Sequence, residues 1–278
     1  MSKTTTDSSE VATPPDPPSA PSLVARAHLG QSWRTAGILI PFLILFVVLS
    51  ISSSAFLHTT NLINILDQQA STLCIAAAGT LVLVAGGIDL SVGSTYAFAG
   101  VTAGMVGQHH SLVLAIGAAL AVGLVVGLAN GVIVSVFKIS PLITTLAMSY
   151  VIQGIALKVS SGNLILTGTV PGFTTFVLSG LAASLGGIID ASRLGSVIAS
   201  SGGAALSFTV LAGIVVGGTS IAGGEGSGWR TAIGVLFIAL IGNGFDLLGV
   251  DPNWQQIVLG LILLVAVGLD MWARRVRR

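Results

Sequence analysis

Residues 85–94 read Ala-Gly-Gly-Ile-Asp-Leu-Ser-Val-Gly-Ser and interrupt two long apolar runs, 65–85 before them and 92–108 after. A carboxylate within hydrocarbon costs several kcal/mol, so Asp89 has to face a bundle interior, a watery cavity or a partner. Gly86 and Gly87 break a helix there, and Ser91 and Ser94 supply hydrogen bonds to the freed backbone. A broken helix with a carboxylate at its turn is one way to build a site for a polar substrate inside a membrane bundle. Asp is also a favoured N-cap, so capping the next helix would account for Asp89 without any ligand. Both readings stand at this point.

The rest of the chain supplies the setting. Of 278 residues, 53% are hydrophobic and 8% charged, against about 25% charged in a soluble domain. That composition excludes a cytosolic enzyme and a secreted disulfide scaffold. The net charge of +1 comes with no basic block able to grip a phosphate backbone, so nucleic acid is not an expected partner. The single cysteine, Cys74, lies in an apolar run and builds neither a disulfide framework nor a metal cluster. The 36 glycines are nearly twice the usual ~7%. In a bilayer such residues let helices pack backbone to backbone and mark places where a helix is broken.

Three regions follow from the patterning. Residues 1–33 are rich in Ser, Thr, Pro and Asp and are expected to be a disordered cytoplasmic tail. Residues 34–273 form the membrane domain, and 274–278 a basic cytoplasmic C-terminus. No apolar h-region follows the tail in the way a signal peptide requires. Apolar runs cover about 36–57, 65–85, 92–108, 112–137, 140–159, 173–190, 204–221, 229–248 and 254–273. The expected fold is therefore all-α, a polytopic transmembrane helix bundle with broken or re-entrant helices. Arg26 and Arg34 precede the first run, and Arg274, Arg275, Arg277 and Arg278 follow the last. Both ends are thus expected in the cytoplasm, and nine full crossings cannot satisfy that parity.

A second glycine-rich break, Gly-Gly-Thr-Ser-Ile-Ala-Gly-Gly-Glu-Gly-Ser at 217–227, parallels the first in its Gly-Gly start and Gly-Ser end. Matching breaks in two halves mark internally repeated transporters. The helix-break glycines are then Gly93, Gly217, Gly218, Gly223 and Gly224, and the candidate substrate pathway comprises Gly86, Gly87, Asp89, Ser91, Asn130 and Asn243. Asn130 and Asn243 each precede a glycine, and an interhelical hydrogen bond at a tight crossing is the plainer reading of both. Gln68 and Gln69 line a polar cavity or stand at headgroup level, and Asp190 with Arg193 reads as a solvated helix end. No phosphate loop, dinucleotide fingerprint, catalytic triad or metal-ligand spacing is legible, and His109-His110 lacks further ligands. No catalytic residue, metal or cofactor is expected in this chain.

Gly86–Ser94 (GGIDLSVGS) resembles the signature of the ribose-type permease subunits of bacterial ABC importers. The similarity continues through Asn61-Leu-Ile-Asn-Ile-Leu, Asn130-Gly, Pro141-Leu-Ile-Thr-Thr-Leu, the 217–227 motif, Asn243-Gly-Phe-Asp-Leu-Leu-Gly-Val and Trp254-Gln-Gln-Ile-Val-Leu-Gly. The resemblance implies a ten-helix, multi-pass permease of the bacterial plasma (inner) membrane that works as a pair of copies. It further implies an ATP-binding cassette ATPase, which holds the ATP and Mg, and an external sugar-binding protein. The implied cargo is a monosaccharide of the ribose or xylose kind. Two departures stand out. Val170-Pro-Gly-Phe173 runs straight into Val177-Leu-Ser-Gly-Leu-Ala-Ala, so one helix and the cytoplasmic coupling loop of the family are missing, which accounts for the odd count. The Glu-Leu that the family places before its Gly-Gly-Thr-Ser motif is Ala205-Leu206 here.

Three functions are therefore distinguished. The first is a permease subunit of a monosaccharide importer, energised by a separate ATPase. The second is a shortened, uncoupled or inactive permease. The third is an ion-coupled carrier in which Asp89 titrates.

Overall fold

The computed structural model describes residues 23–166, 182–200 and 202–276. Among them the chain forms nine helices: α1 (Leu23–Ser52), α2 (Thr59–Val84), α3 (Val92–His109), α4 (Leu112–Ser135), α5 (Pro141–Ser160), α6 (Ala182–Leu194), α7 (Gly203–Val216), α8 (Gly228–Leu248) and α9 (Pro252–Val276). Two short strands, β1 (Ile165–Leu166) and β2 (Ser196–Val197), pair antiparallel, with Ile165 opposite Val197. The helical bundle is the architecture expected from the sequence. The strand pair is an addition that no period-two pattern announces.

Helix boundaries have local causes. Ser111 caps α4 by accepting from the Leu114 N–H, and Pro141 opens α5 at a position where its missing N–H costs nothing. Gly249 closes α8 with φ 65°, the left-handed conformation that favours glycine. Among the described residues three helices, α4, α5 and α8, are long and apolar enough to cross a membrane. Their outward faces are apolar too: Leu124 and Val125 are each 64% exposed, which only lipid or another protein surface would accept.

α3 lies at the centre, packed on α4, α5, α6 and α7. Close approach there depends on small residues: a Cβ on Gly187 of α6 would overlap the Tyr96 carbonyl of α3. Three apolar clusters fill the bundle. One gathers Val101, Leu185, Ile188 and Val197, a second Ile75, Leu83, Tyr96, Val210, Ile214 and Val235. The third holds Leu49, Phe56, Ile65 and Leu240, where the Phe46 ring meets Phe56 edge-on.

Several boundaries differ from the sequence expectation. α1 begins at Leu23, within the stretch expected to be tail, while residues 1–22 lie outside the described residues. α2 starts at Thr59 rather than 65, because Asn61 finds partners that let a polar stretch remain helical: its Nδ2 donates to the Phe56 carbonyl at 2.9 Å. Within the run expected over 173–190, α6 is described over Ala182–Leu194 and so extends past 190, while residues 173–181, including the junction around Phe173–Val177, fall outside the described residues. Asp190 is no solvated helix end. Its Oδ2 accepts from Ser71 Oγ of α2 at 3.1 Å and from the Tyr96 hydroxyl of α3, while Oδ1 pairs with Arg193 Nε at 3.2 Å. One carboxylate thus joins three helices, and pattern reading misses it because no single helix carries the signal.

Candidate functional site

The first glycine break is an extended segment between α2 and α3. Gly86 takes φ 86°, letting the chain leave α2 and turn back towards the bundle, and Ser91 is the N-cap position of α3. Asp89 does not cap that helix at its second or third turn position. Its Oδ1 accepts from the Ser91 backbone N–H at 2.8 Å and from the Ser91 hydroxyl at 2.6 Å, so it braces the break itself. Asn130 Nδ2 of α4 donates to Ser91 Oγ at 2.9 Å, extending the chain of bonds to a third element. The freed backbone is answered by hydroxyls. Leu90 N–H donates to Thr145 Oγ1 at 3.0 Å, Gly93 N–H donates to Ser207 Oγ at 3.0 Å, and Ser207 Oγ donates to the Leu90 carbonyl at 2.8 Å.

Glycine is required where α3 begins. A Cβ on Gly93 would overlap the Gly203 carbonyl at the start of α7, and one on Gly202 would overlap the Gly93 carbonyl. The second glycine break comes to the first: Gly224 N–H donates to the Val84 carbonyl at 2.8 Å, and a Cβ on Gly223 would stand 2.9 Å from Gly86 Cα. The two motifs paired by their sequence likeness are in contact. Gly217 lies against the Arg230 carbonyl of α8, and Gly218 turns the chain with φ 82°. Beside them Thr80 and Thr231 share a hydrogen bond of 2.8 Å between α2 and α8.

Gly86, Gly87, Asp89, Ser91 and Asn130 therefore converge, and what they build is tight. The cavity beside Asp89, bordered by Gly87, Ile88 and Ser207, holds about 20 Å³, room for a single water. Asn243 is elsewhere. Its Nδ2 donates to Asn61 Oδ1 at 2.8 Å and its Oδ1 accepts from Asn61 Nδ2 at 3.1 Å, a reciprocal amide pair joining α8 to α2.

Next to that pair lies a polar cavity of about 140 Å³ between α2, α7, α8 and α9. Gln68, Gln69, Thr209, Asn243, Asp246 and Gln255 supply its polar lining, with Ile65 and Ile238 among its apolar wall. Of these, Asn243 belongs to the pathway expected from sequence, and Gln68 and Gln69 line a cavity rather than only mark a helix end. Asp246 and Gln255 sit within the Asn243 and Trp254 motifs but carry no signal of their own. A larger groove of about 650 Å³ between α1 and α7–α9 is lined by apolar side chains such as Ile38, Phe237, Leu261 and Val265. It offers a polar solute few hydrogen bonds. Among the described residues, no three His, Cys, Asp or Glu side chains are grouped to hold a metal.

Comparison with known proteins places this architecture. The family described as "Branched-chain amino acid transport system / permease component" matches residues 61–171 and 171–267, two pieces that meet at one residue. The chain is 31% identical to the ribose import permease protein RbsC of Escherichia coli (strain K12), over 84% of this chain and 92% of that protein. It is 30% identical to the L-arabinose ABC transporter permease protein AraH of Azospirillum brasilense, over 95% of each. With the galactose/methyl galactoside import permease protein MglC of Salmonella typhimurium the identity is 26%, over 85% of this chain and 94% of that protein. The alignment with RbsC spans 296 positions, of which 84% of this 278-residue chain fills about 234, leaving about 60 without a counterpart here. No solved structure matches the chain.

Proposed function

The chain belongs to this family of membrane permease components, and from that premise we propose that it is the membrane-spanning subunit of a bacterial importer that carries a monosaccharide across the inner membrane. The observation that carries the reading is the agreement of the relatives: RbsC, AraH and MglC are named for ribose, L-arabinose and galactose, and each aligns over more than four-fifths of this chain. The family description names branched-chain amino acids instead. A zwitterion is held best where a positive group answers its carboxylate and an anion its ammonium. Among the described residues the polar cavity is lined by Asp246 and by no Lys or Arg, which favours a neutral cargo.

In this reading the chain performs no chemistry. Its residues form a route and hold helices at fixed distances, while ATP hydrolysis in a separate cassette ATPase changes the conformation. A second permease copy and an external sugar-binding protein complete the assembly, and Arg274, Arg275, Arg277 and Arg278 keep the C-terminus in the cytoplasm. The test is uptake of labelled D-ribose, L-arabinose and D-galactose by cells with and without this chain, and with and without the partner ATPase. Uptake of one sugar that requires both chains is the expected result. Uptake indifferent to the ATPase would overturn energised import.

One observation favours a second reading. About 60 positions of the alignment with RbsC have no counterpart here, and the family match divides at residue 171, which is compatible with the loss of the helix and coupling loop that the resemblance implies for that place. A permease without that loop would be uncoupled, a membrane component that no ATPase drives. Co-purification separates the two readings: a stoichiometric complex with an ATPase supports the first, and a chain recovered alone under the same conditions supports the second.

A further inference from the structure

We propose that the polar cavity between α2, α7, α8 and α9, and not the glycine break around Asp89, is a binding subsite for a neutral polyhydroxylated ligand of monosaccharide size. The inference rests on the sugar-permease reading for its ligand class and on the geometry for its location.

Size comes first. A cavity of about 140 Å³ has room, at about 10–15 Å³ per water, for about ten waters, comparable to the number of non-hydrogen atoms of a five- or six-carbon sugar ring with its hydroxyls. The 20 Å³ beside Asp89 cannot take such a ring. Chemistry comes next. Gln68, Gln69, Asn243 and Gln255 present amides that both donate and accept, as sugar hydroxyls do, with Thr209 adding a hydroxyl. Asp246 accepts strongly, and with no cation among the described lining residues it disfavours anions such as a sugar phosphate. Ile65, Ile238 and Ala239 give the apolar face of a ring something to rest on.

The site is also held in shape. Asn243 is fixed by its pair with Asn61, and Gln255 fits because position 242 has no side chain: a Cβ there would stand 2.5 Å from Gln255 Nε2. Placement agrees with the task. The Asn61–Asn243 pair puts the start of α2 and the end of α8 at one face of the bundle. In the proposed orientation, with the C-terminal arginines in the cytoplasm and α9 leading to them from that face, that face is the outer one, where a sugar delivered from outside first meets the permease.

The test uses the single native cysteine. In the full chain carrying Cys74→Ser, Gln255→Cys is introduced into the cavity and, separately, Val113→Cys at the 80%-exposed start of α4. Both are treated in right-side-out vesicles with a membrane-impermeant methanethiosulfonate. Saturating D-ribose, L-arabinose or D-galactose is expected to slow labelling at 255 about fivefold or more and to leave 113 unchanged. D-ribose 5-phosphate is expected to protect neither position. Should Gln255→Cys fail to insert, Thr209→Cys probes the same cavity. Labelling at 255 unaffected by all three sugars, while the chain still supports uptake of one, overturns the subsite alone. Unaffected labelling together with no uptake overturns the sugar-permease reading as well. Equal protection by the sugar phosphate overturns the neutral ligand class.

Discussion

At Gly93 a single hydrogen atom separates a packed bundle from a clash. The Gly203 carbonyl occupies the space a Cβ would need, and that oxygen belongs to backbone that cannot rotate away. Gly93→Ala is expected to cost about 3 kcal/mol or more through overpacking, read as loss of folded protein on size-exclusion of detergent extracts. Gly131 of α4 is the control, since a Cβ added there would meet nothing within 4 Å. Gly131→Ala is expected to be neutral or to stabilise by up to ~1 kcal/mol. Sequence alone marks Gly93 as a helix-break glycine but does not show why a methyl group is excluded there, since the clash is with a partner more than a hundred residues away. The same limit hides the role of Ser207, 2% exposed, whose hydroxyl serves both the Leu90 carbonyl and the Gly93 N–H.

Among the elements, α6 is tied to two neighbours by one polar side chain in addition to its apolar packing. Asp190 receives Ser71 from α2 and Tyr96 from α3 and pairs with Arg193 in its own last turn. Asp190→Ala leaves these donors without their acceptor, a loss of about 1–3 kcal/mol. Hydrogen exchange should rise through 182–194 and stay unchanged in α8. The helices themselves are largely legible in the sequence, because membrane helices need long apolar runs and breaks need glycine, proline or polar clusters. α4, expected over 112–137 and found over Leu112–Ser135, follows directly from that rule. α2 departs from it, since the partners of Asn61 are set by tertiary structure. The likeness of the two glycine breaks foreshadows their contact. The polar cavity is foreshadowed only by Gln68, Gln69 and Asn243 taken singly, because its side chains come from four helices and no local pattern joins Gln69 to Gln255.

For the whole molecule the decisive fact is an apolar exterior. α4 shows Leu124, Val125 and Leu128 outward, each at least 60% exposed. An arginine at the middle of that helix should raise the apparent free energy of insertion by about 2.5–3.5 kcal/mol. Leu124→Arg is accordingly expected to reduce membrane-integrated protein in a glycosylation-tag insertion assay, whereas Val113→Arg, at the helix start, is expected to insert normally. Equal insertion of both would mean that α4 faces a partner or a watery space instead of lipid.

The small strand pair has a consequence for chain length. β1 and β2 clamp residues 165–166 to 196–197, on either side of the point where the family match divides. Closing a connection costs entropy that grows only as the logarithm of its length, about 0.6 kcal/mol for each doubling. Fifteen residues separate Leu166 from Ala182, and about sixty further residues of flexible chain inserted between them would raise the closure cost by only about 1.4 kcal/mol. Thermodynamically the bundle is nearly indifferent to gaining or losing a passage at this place. Natural shortening and deliberate grafting of a foreign domain are two uses of the same tolerance.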